Sequence, residues 1–342
     1  MLLESTAVFN ISSTPTQGFE DEANAVINRV LTTISASLSL LGTSFIIGTF
    51  IAWKDFRSTS RRILVYISIG DFFIAGGNLF GVWRRRDDST VCKSQSFVTT
   101  CASLWSFFWT TFLAIFMYTV VVKKQANKAG TMLKFYHIIG WGVPLIITGT
   151  ALGLGKLGND NDVYSAGWCW IDSRLSKSDK YLWMLISGKA WEVTAFCVSS
   201  TFYLMLKYHI RKEQFTSAQS KEYALKAEKR LTLVPVIFVL VRIWGTLRFI
   251  IYIAGGLDDS NAAWEKALLY LQGMGDSSQG FANFLLFCLF TEKFRTHLQR
   301  ATCGFLQQCK KQPSSTPPSS SEETRSHQQT VINENTNLLG RV

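Results

Sequence analysis

The chain is poor in charge, histidine and proline. Only 17% of its 342 residues are charged, and it holds 4 His and 6 Pro. His137, His209, His297 and His327 lie far apart, with no partner histidine at ligand spacing. A metal hydrolase needs several such groups facing one cavity, so neither a metal nor another cofactor is expected. There is no glycine-rich loop of the kind that cradles phosphates. No internal repeat and no pair of similar halves is visible, although transporters are commonly built from such halves with matched broken helices. Met1–Asn10 lacks a basic start and an apolar run, so no secretory signal peptide is expected and the first apolar segment must direct its own insertion. From Ser94 to Val122 there is no charge at all. As a helix that run reaches roughly 40 Å at ~1.5 Å per residue, more than the ~30 Å hydrocarbon core of a bilayer.

What is abundant is apolar and aromatic: 47% hydrophobic residues, with 25 Phe and 11 Trp. The run Ser94–Val122 is apolar all round, which marks a membrane span or the centre of a large core. Val30–Trp53, Ile63–Trp83, Phe135–Leu154, Tyr181–Ile210, Leu231–Ala254 and Trp264–Phe290 are also long enough to span. Lipid tolerates no unsatisfied backbone, so the expected fold is an all-α membrane protein, a bundle of seven transmembrane helices. The net charge of +11 raises nucleic-acid binding, but the distribution of charge argues against it. Lys and Arg gather in alternate loops, and the positive-inside bias then puts the N-terminus outside and the C-terminus inside. Arg84, Arg85 and Arg86 run against that bias. The expected organisation is a short external segment at 1–29, the helical domain at 30–290, an amphipathic membrane-surface helix at 291–309 and a disordered tail at 310–342. Phe294, Leu298 and Phe305 among charges give the surface helix its period, and Cys303 and Cys309 beside it are candidates for palmitoylation by contact with membrane lipids. Asn10 begins a glycosylation tripeptide, Asn10-Ile11-Ser12.

Of the seven cysteines, Cys92 and Cys169 are the two that fall in external loops, facing an oxidising compartment, so a disulfide between them is expected. Charges inside apolar spans are expensive and face the bundle interior. Asp71 in span 2 and Arg242 in span 6 are therefore buried polar candidates. Lys189 and Glu192 share one face of span 5 by their i,i+3 spacing. Arg248 in span 6 and Asp276 in span 7 lie at outer-half depths, with Trp191 and Trp244 beside these charges. Lys189, Glu192, Trp191, Trp244, Arg248 and Asp276 are thus the ligand-pocket candidates. The plainer reading is two closed pairs, Lys189 with Glu192 and Arg248 with Asp276, that only fix packing. In span 4, Gly140-Trp141-Gly142-Val143-Pro144 reads from physics alone as a packing motif. Pro235 and Gly245 are soft points in span 6 that predict a hinge.

Several of these stretches carry a family likeness. Gly140-Trp141-Gly142-Val143-Pro144 resembles the fourth-helix signature of secretin-like, adhesion and cyclic-AMP-receptor-like G-protein-coupled receptors. Cys169-Trp170 resembles their second-external-loop pair, and Lys229-Arg230-Leu231-Thr232-Leu233-Val234-Pro235 the start of their sixth helix. Gln279-Gly280-Phe281-Ala282-Asn283, with Phe287-Cys288 and Glu292, resembles the end of their seventh. The likeness covers roughly residues 28–305. It implies a plasma-membrane receptor, not an enzyme, with an extracellular ligand that the sequence does not name and heterotrimeric G proteins as partners. Lys123, Lys124, Arg211, Lys212, Lys229 and Arg230 are the candidates for the G-protein face. The rhodopsin-like Asp-Arg-Tyr and Asn-Pro-x-x-Tyr are absent, and residues 1–29 have no cysteine with which to staple a hormone-binding domain. The alternative is a heptahelical transporter or channel of an internal membrane.

The tail holds Glu334-Asn335-Thr336-Asn337-Leu338-Leu339, which resembles an acidic dileucine signal read by sorting adaptors and predicts endosomal cycling. Replacing Glu334, Leu338 and Leu339 by Ala should raise surface level and slow internalisation of an epitope-tagged chain. Unchanged uptake would make the pattern a chance feature of a polar tail.

Overall fold

The computed structural model describes residues 15–54, 57–84, 89–160, 166–213, 233–255 and 263–290. Seven long helical stretches make up this part. They are α1 (Pro15–Ala52), α2 (Thr59–Trp83), α3 (Ser89–Val121), α4 (Ala126–Gly153), the pair α5 (Lys177–Met184) and α6 (Ala190–Glu213), α7 (Val234–Ile253) and α8 (Ala263–Phe290). A five-residue π-helical segment, Leu185–Lys189, joins α5 to α6 without a break. Asn10, Lys229, Arg230, the stretch 291–309, Cys303, Cys309, Glu334, Leu338 and Leu339 lie outside the described residues.

Five of these helices, α1, α2, α3, α4 and α7, are long and apolar enough to cross a membrane by length and composition. The other two stretches, α5–α6 and α8, also carry polar side chains in the core, among them Lys189 and Glu192 in one and Gln272, Asp276, Gln279 and Asn283 in the other. Two of the expected boundaries move. Helix α1 begins at Pro15, well before Val30, and Asn28 is buried, its amide donating to the Ala166 carbonyl at 2.6 Å. Helix α3 begins at Ser89, so Cys92 sits inside its first turns rather than ahead of it. In α7 the described helix starts at Val234, with Pro235 in its first turn. There the proline's missing N–H leaves no ladder bond of the described helix unmade.

Close helix contact depends on small residues. A Cβ on Gly275 would run into the Val241 carbonyl of α7, and one on Gly280 would meet Thr43 Cγ2 and, at 2.8 Å, Ser39 Oγ of α1. Ser39 Oγ also accepts a hydrogen bond from the Phe281 backbone N–H at 3.0 Å, fastening α1 to α8 at the same level. In α4, Gly140 lets Trp109 and Phe112 of α3 approach, and Trp141 packs against Trp105, Trp109 and Tyr66 with ring centroids 5.1, 5.5 and 5.9 Å away. The glycine and tryptophan of this motif therefore serve aromatic packing between α2, α3 and α4.

One end of the bundle is covered by a hairpin. β1 (Leu157–Gly158) pairs antiparallel with β2 (Trp170–Ile171). Cys169 is disulfide-bonded to Cys92, with Cα atoms 5.6 Å apart. Gln95 accepts from the Cys169 N–H at 2.9 Å, and Ser96 donates to the Trp170 carbonyl at 2.6 Å. Leu157 and Ile171 are fully buried against Ala151, Met184 and Phe249. The Asp172 N–H donates across the hairpin to the Lys156 carbonyl at 3.0 Å, and its carboxylate accepts from Arg174 Nη2 at 2.6 Å.

Burial pushes the Asp172 carboxyl up, but the hydrogen bonds and charge of Arg174 outweigh it and hold the group below the usual carboxylate range. A carboxyl depressed in the folded state contributes stability above its ordinary pKa of about 4, and that stability is lost as pH falls through the folded value. Hairpin stability should therefore drop on acidification below about pH 4. Asp172→Asn should flatten that part of the profile, as read by hydrogen exchange of the Asp172–Leu175 amides.

Candidate functional site

Beneath the hairpin lies a cavity of about 70 Å³. Its charged lining is Lys189, Glu192, Arg242 and Asp276, and its polar lining includes Asn78, Thr100, Ser187 and Gln272. Phe107, Trp168 and Trp170 are its aromatic members. The π-helical segment builds one side. An extra residue in a helical turn displaces one carbonyl from the ladder, and π segments commonly mark functional positions. Here Trp191 Nε1 donates to the Ile186 carbonyl at 2.9 Å, while Ser187, Gly188 and Lys189 face the cavity. Lys189 Nζ then reaches Glu192 Oε2 at 2.6 Å, and both side chains are buried.

Arg242 is the central group. Its guanidinium lies 4.8 Å from the Phe107 ring centroid, its Nε donates to Gln279 Oε1 at 2.9 Å, and its Nη1 is 4.0 Å from Asp276 Oδ1. Gln279 Nε2 donates to Ser106 Oγ at 2.8 Å, and Ser106 Oγ donates to Asp71 Oδ1 at 2.8 Å. Asn283 Nδ2 completes the set, donating to Asp71 Oδ2 at 3.0 Å. A buried polar network thus runs from the cavity through α7, α8, α3 and α2. Separately, Asn78 Nδ2 of α2 donates to Ser277 Oγ of α8 at 3.1 Å.

The expected Arg248–Asp276 pair is replaced. Asp276 faces Arg242, and Arg248 Nη1 donates to Gln272 Oε1 at 3.0 Å. Gln272 also hydrogen-bonds Asp276, so it joins the two arginines' surroundings. The reason is helical phase: at about 100° per residue, Arg248 points some 120° away from Arg242 around α7. The expected apolar walls also change. Trp191 is turned against Phe108, with centroids 5.1 Å apart, and Trp244 lies near Gly275. Trp168 and Trp170 line the cavity in their place. They flank Cys169, Trp168 in the bend before it and Trp170 at the start of β2. Anchoring Cys169 to α3 brings both indoles to the cavity, a signal present in Trp168-Cys169-Trp170. At the other end of α3, Lys123 Nζ lies 5.9 Å from the Tyr118 ring centroid, and Lys124 has a positive φ of 54°. Arg211 and Lys212 occupy the last turn of α6.

Among the described residues, several buried atoms around the cavity have no hydrogen-bond partner: Glu192 Oε1, Ser187 Oγ, Thr100 Oγ1, Arg242 Nη2 and Asp276 Oδ1. Acceptors and donors therefore both face this space. Breaking a buried ion pair on one side costs about 3–5 kcal/mol, since the remaining charge stays buried. Arg242→Gln and Asp276→Asn should each lower the melting temperature in nanodiscs, and the double variant should lose less than the sum of the two. Strict additivity would mean that the two side chains do not interact.

Residues 25–282 match the family described as 7 transmembrane receptor (Secretin family). The chain is 36% identical to G-protein coupled receptor 157 of Homo sapiens over 282 residues, which cover 79% of this chain and 82% of that one. It is 35% identical to G-protein coupled receptor 157 of Mus musculus over 303 residues, 85% of this chain and 88% of the relative. Latrophilin receptor-like protein A of Dictyostelium discoideum is 24% identical over 272 residues, 79% and 81% of the two chains. These are families of membrane receptors rather than of enzymes. By the extent of the match and by its seven helical stretches, this chain belongs to the secretin family of seven-transmembrane receptors.

Proposed function

We propose that the protein transduces an extracellular signal to heterotrimeric G proteins. The observation that carries this reading is the position of Arg242. It touches the cavity through Asp276 and Phe107, and it touches the buried Gln279–Ser106–Asp71–Asn283 chain through its Nε. A ligand that pulls on Arg242 or Asp276 alters the contacts of α7 with α8 and α3 together. Packed interfaces respond to such changes by switching between discrete arrangements. In this reading the inner end of α7 swings outward and opens a basic face for the G protein, formed by Lys123, Lys124, Arg211, Lys212, Lys229 and Arg230.

The reading orients the hairpin and its disulfide outward and the basic helix ends inward, in a plasma membrane. Lipid contact at Cys303 and Cys309, glycosylation at Asn10 and adaptor binding at the dileucine pattern belong to the same proposal. Pro235 in the first turn of α7 and Gly245 beside Asp276 bound the segment that moves.

Nucleotide exchange on purified Gα subtypes, with the protein in nanodiscs, is the direct measurement. Exchange above the empty-disc rate by at least one Gα subtype is expected, and spin labels at Lys123 and Leu233 should move apart when that G protein binds. No exchange with any subtype, together with solute flux in liposomes, would replace the receptor reading by a transporter or channel. Exchange without a change in the label distance would remove the outward swing alone.

A further inference from the structure

We infer that the cavity beneath the hairpin is a site for a small zwitterion, an amino acid with little or no side chain. This inference rests on the receptor reading only for its signalling consequence. The binding itself follows from the lining.

The four charged groups of the cavity balance: Lys189 and Arg242 against Glu192 and Asp276. They are nonetheless not closed on one another. Glu192 gives one carboxylate oxygen to Lys189 and leaves Oε1 without a hydrogen-bond partner. Asp276 Oδ1 and Arg242 Nη2 are in the same condition, their separation across the pair being 4.0 Å for the nearest recorded atoms, too long for a hydrogen bond. Glu192, Arg242 and Asp276 are 2%, 4% and 9% exposed as residues, and these atoms themselves are buried, so none of them is served by bulk solvent. An ammonium group supplies three donors and a carboxylate supplies only acceptors. One molecule carrying both satisfies the two carboxylate oxygens and the guanidinium N–H at once, through charge-assisted bonds. A ligand of single charge would leave this balanced site with a net charge in a low-dielectric interior, which is strongly unfavourable. The hydroxyl of Ser187 faces the same space and fits either end. Indole rings of Trp168 and Trp170 add aromatic faces suited to an ammonium. At about 70 Å³ the cavity excludes a drug-sized ligand, which needs roughly 300–1,000 Å³.

The test uses the full chain in nanodiscs and equilibrium binding of radiolabelled glycine, β-alanine and 4-aminobutyrate. At least one should bind saturably, and ethylamine and propionate, each carrying one of the two charges, should compete at least about 100-fold less well, the penalty of leaving a buried charge unpaired. Ser187→Ala removes a hydroxyl that has no partner in the fold, so it should melt like the parent while weakening binding about 3- to 10-fold, the worth of one neutral hydrogen bond. Glu192→Gln should abolish binding. The inference is overturned if none of the three zwitterions binds to protein with an intact melting transition, or if ethylamine, propionate or urea competes as well as they do. Nucleotide exchange run on the same samples separates the two readings. Exchange without binding removes the zwitterion and keeps the receptor; binding without exchange for any Gα subtype does the reverse.

Discussion

A guanidinium buried in the middle of a helical bundle constrains everything around it. Arg242 is 4% exposed and sits on α7, turned into the bundle and lining the cavity. On insertion scales a charge at mid-membrane costs about 2.5–3.5 kcal/mol, so its neighbours must answer it. They do so from two directions. Asp276 offers the opposite charge and Gln279 an amide oxygen, both from α8, while Phe107 offers the face of an aromatic ring from α3. Asp71 carries the complementary demand on α2, and Ser106, Gln279 and Asn283 relay between the two. These polar contacts fix the register of α2, α3, α7 and α8 together with the close packing at small residues such as Gly275 and Gly280.

The remaining elements supply closeness and cover. Glycines at 275 and 280 bring α8 against α7 and α1, so that Asp276 and Gln279, which lie between them in sequence, are held at the interface. The disulfide-anchored hairpin seals the cavity from one end and delivers Trp168 and Trp170 to it. Its own hydrogen bonds to Gln95 and Ser96 tie the cover to α3, the helix that also carries Phe107 and Ser106. Cover, cavity and relay thus share one helix as their common support.

Much of this could be read from the residues, and the parts that could not have a common cause. Long apolar runs without charge mark helices because lipid leaves no other way to satisfy the backbone. The pairing of Cys92 with Cys169 followed from compartment alone, and Lys189 reaches Glu192 because i and i+3 are neighbours on any helix. What depends on the rotation of one helix against another was not legible. Whether Asp276 meets Arg242 or Arg248 turns on the phase of α7 and on how far α8 is slid along it, since the two arginines lie six residues apart. Trp191 was expected at the cavity on depth and instead packs against Phe108, because it stands about 100° around the helix from Glu192, which faces the cavity. The amides Gln272, Gln279 and Asn283 carry no charge and were passed over, although the latter two stand one turn apart.

The π-helical segment Leu185–Lys189 also gives the helix a spare residue. In an unbroken α-helix the orientation of one half fixes that of the other. A turn that holds one residue more than its neighbours is a stored rotation of about 100°. Returned to α-helical geometry, it would turn the hairpin-side half, α5, like a key relative to α6, with no change in length greater than about 1.5 Å. The indole hydrogen bond from Trp191 to the Ile186 carbonyl spans that spare residue, while Lys156–Asp179, Tyr181–Tyr252 and buried Met184 hold α5 in its present orientation.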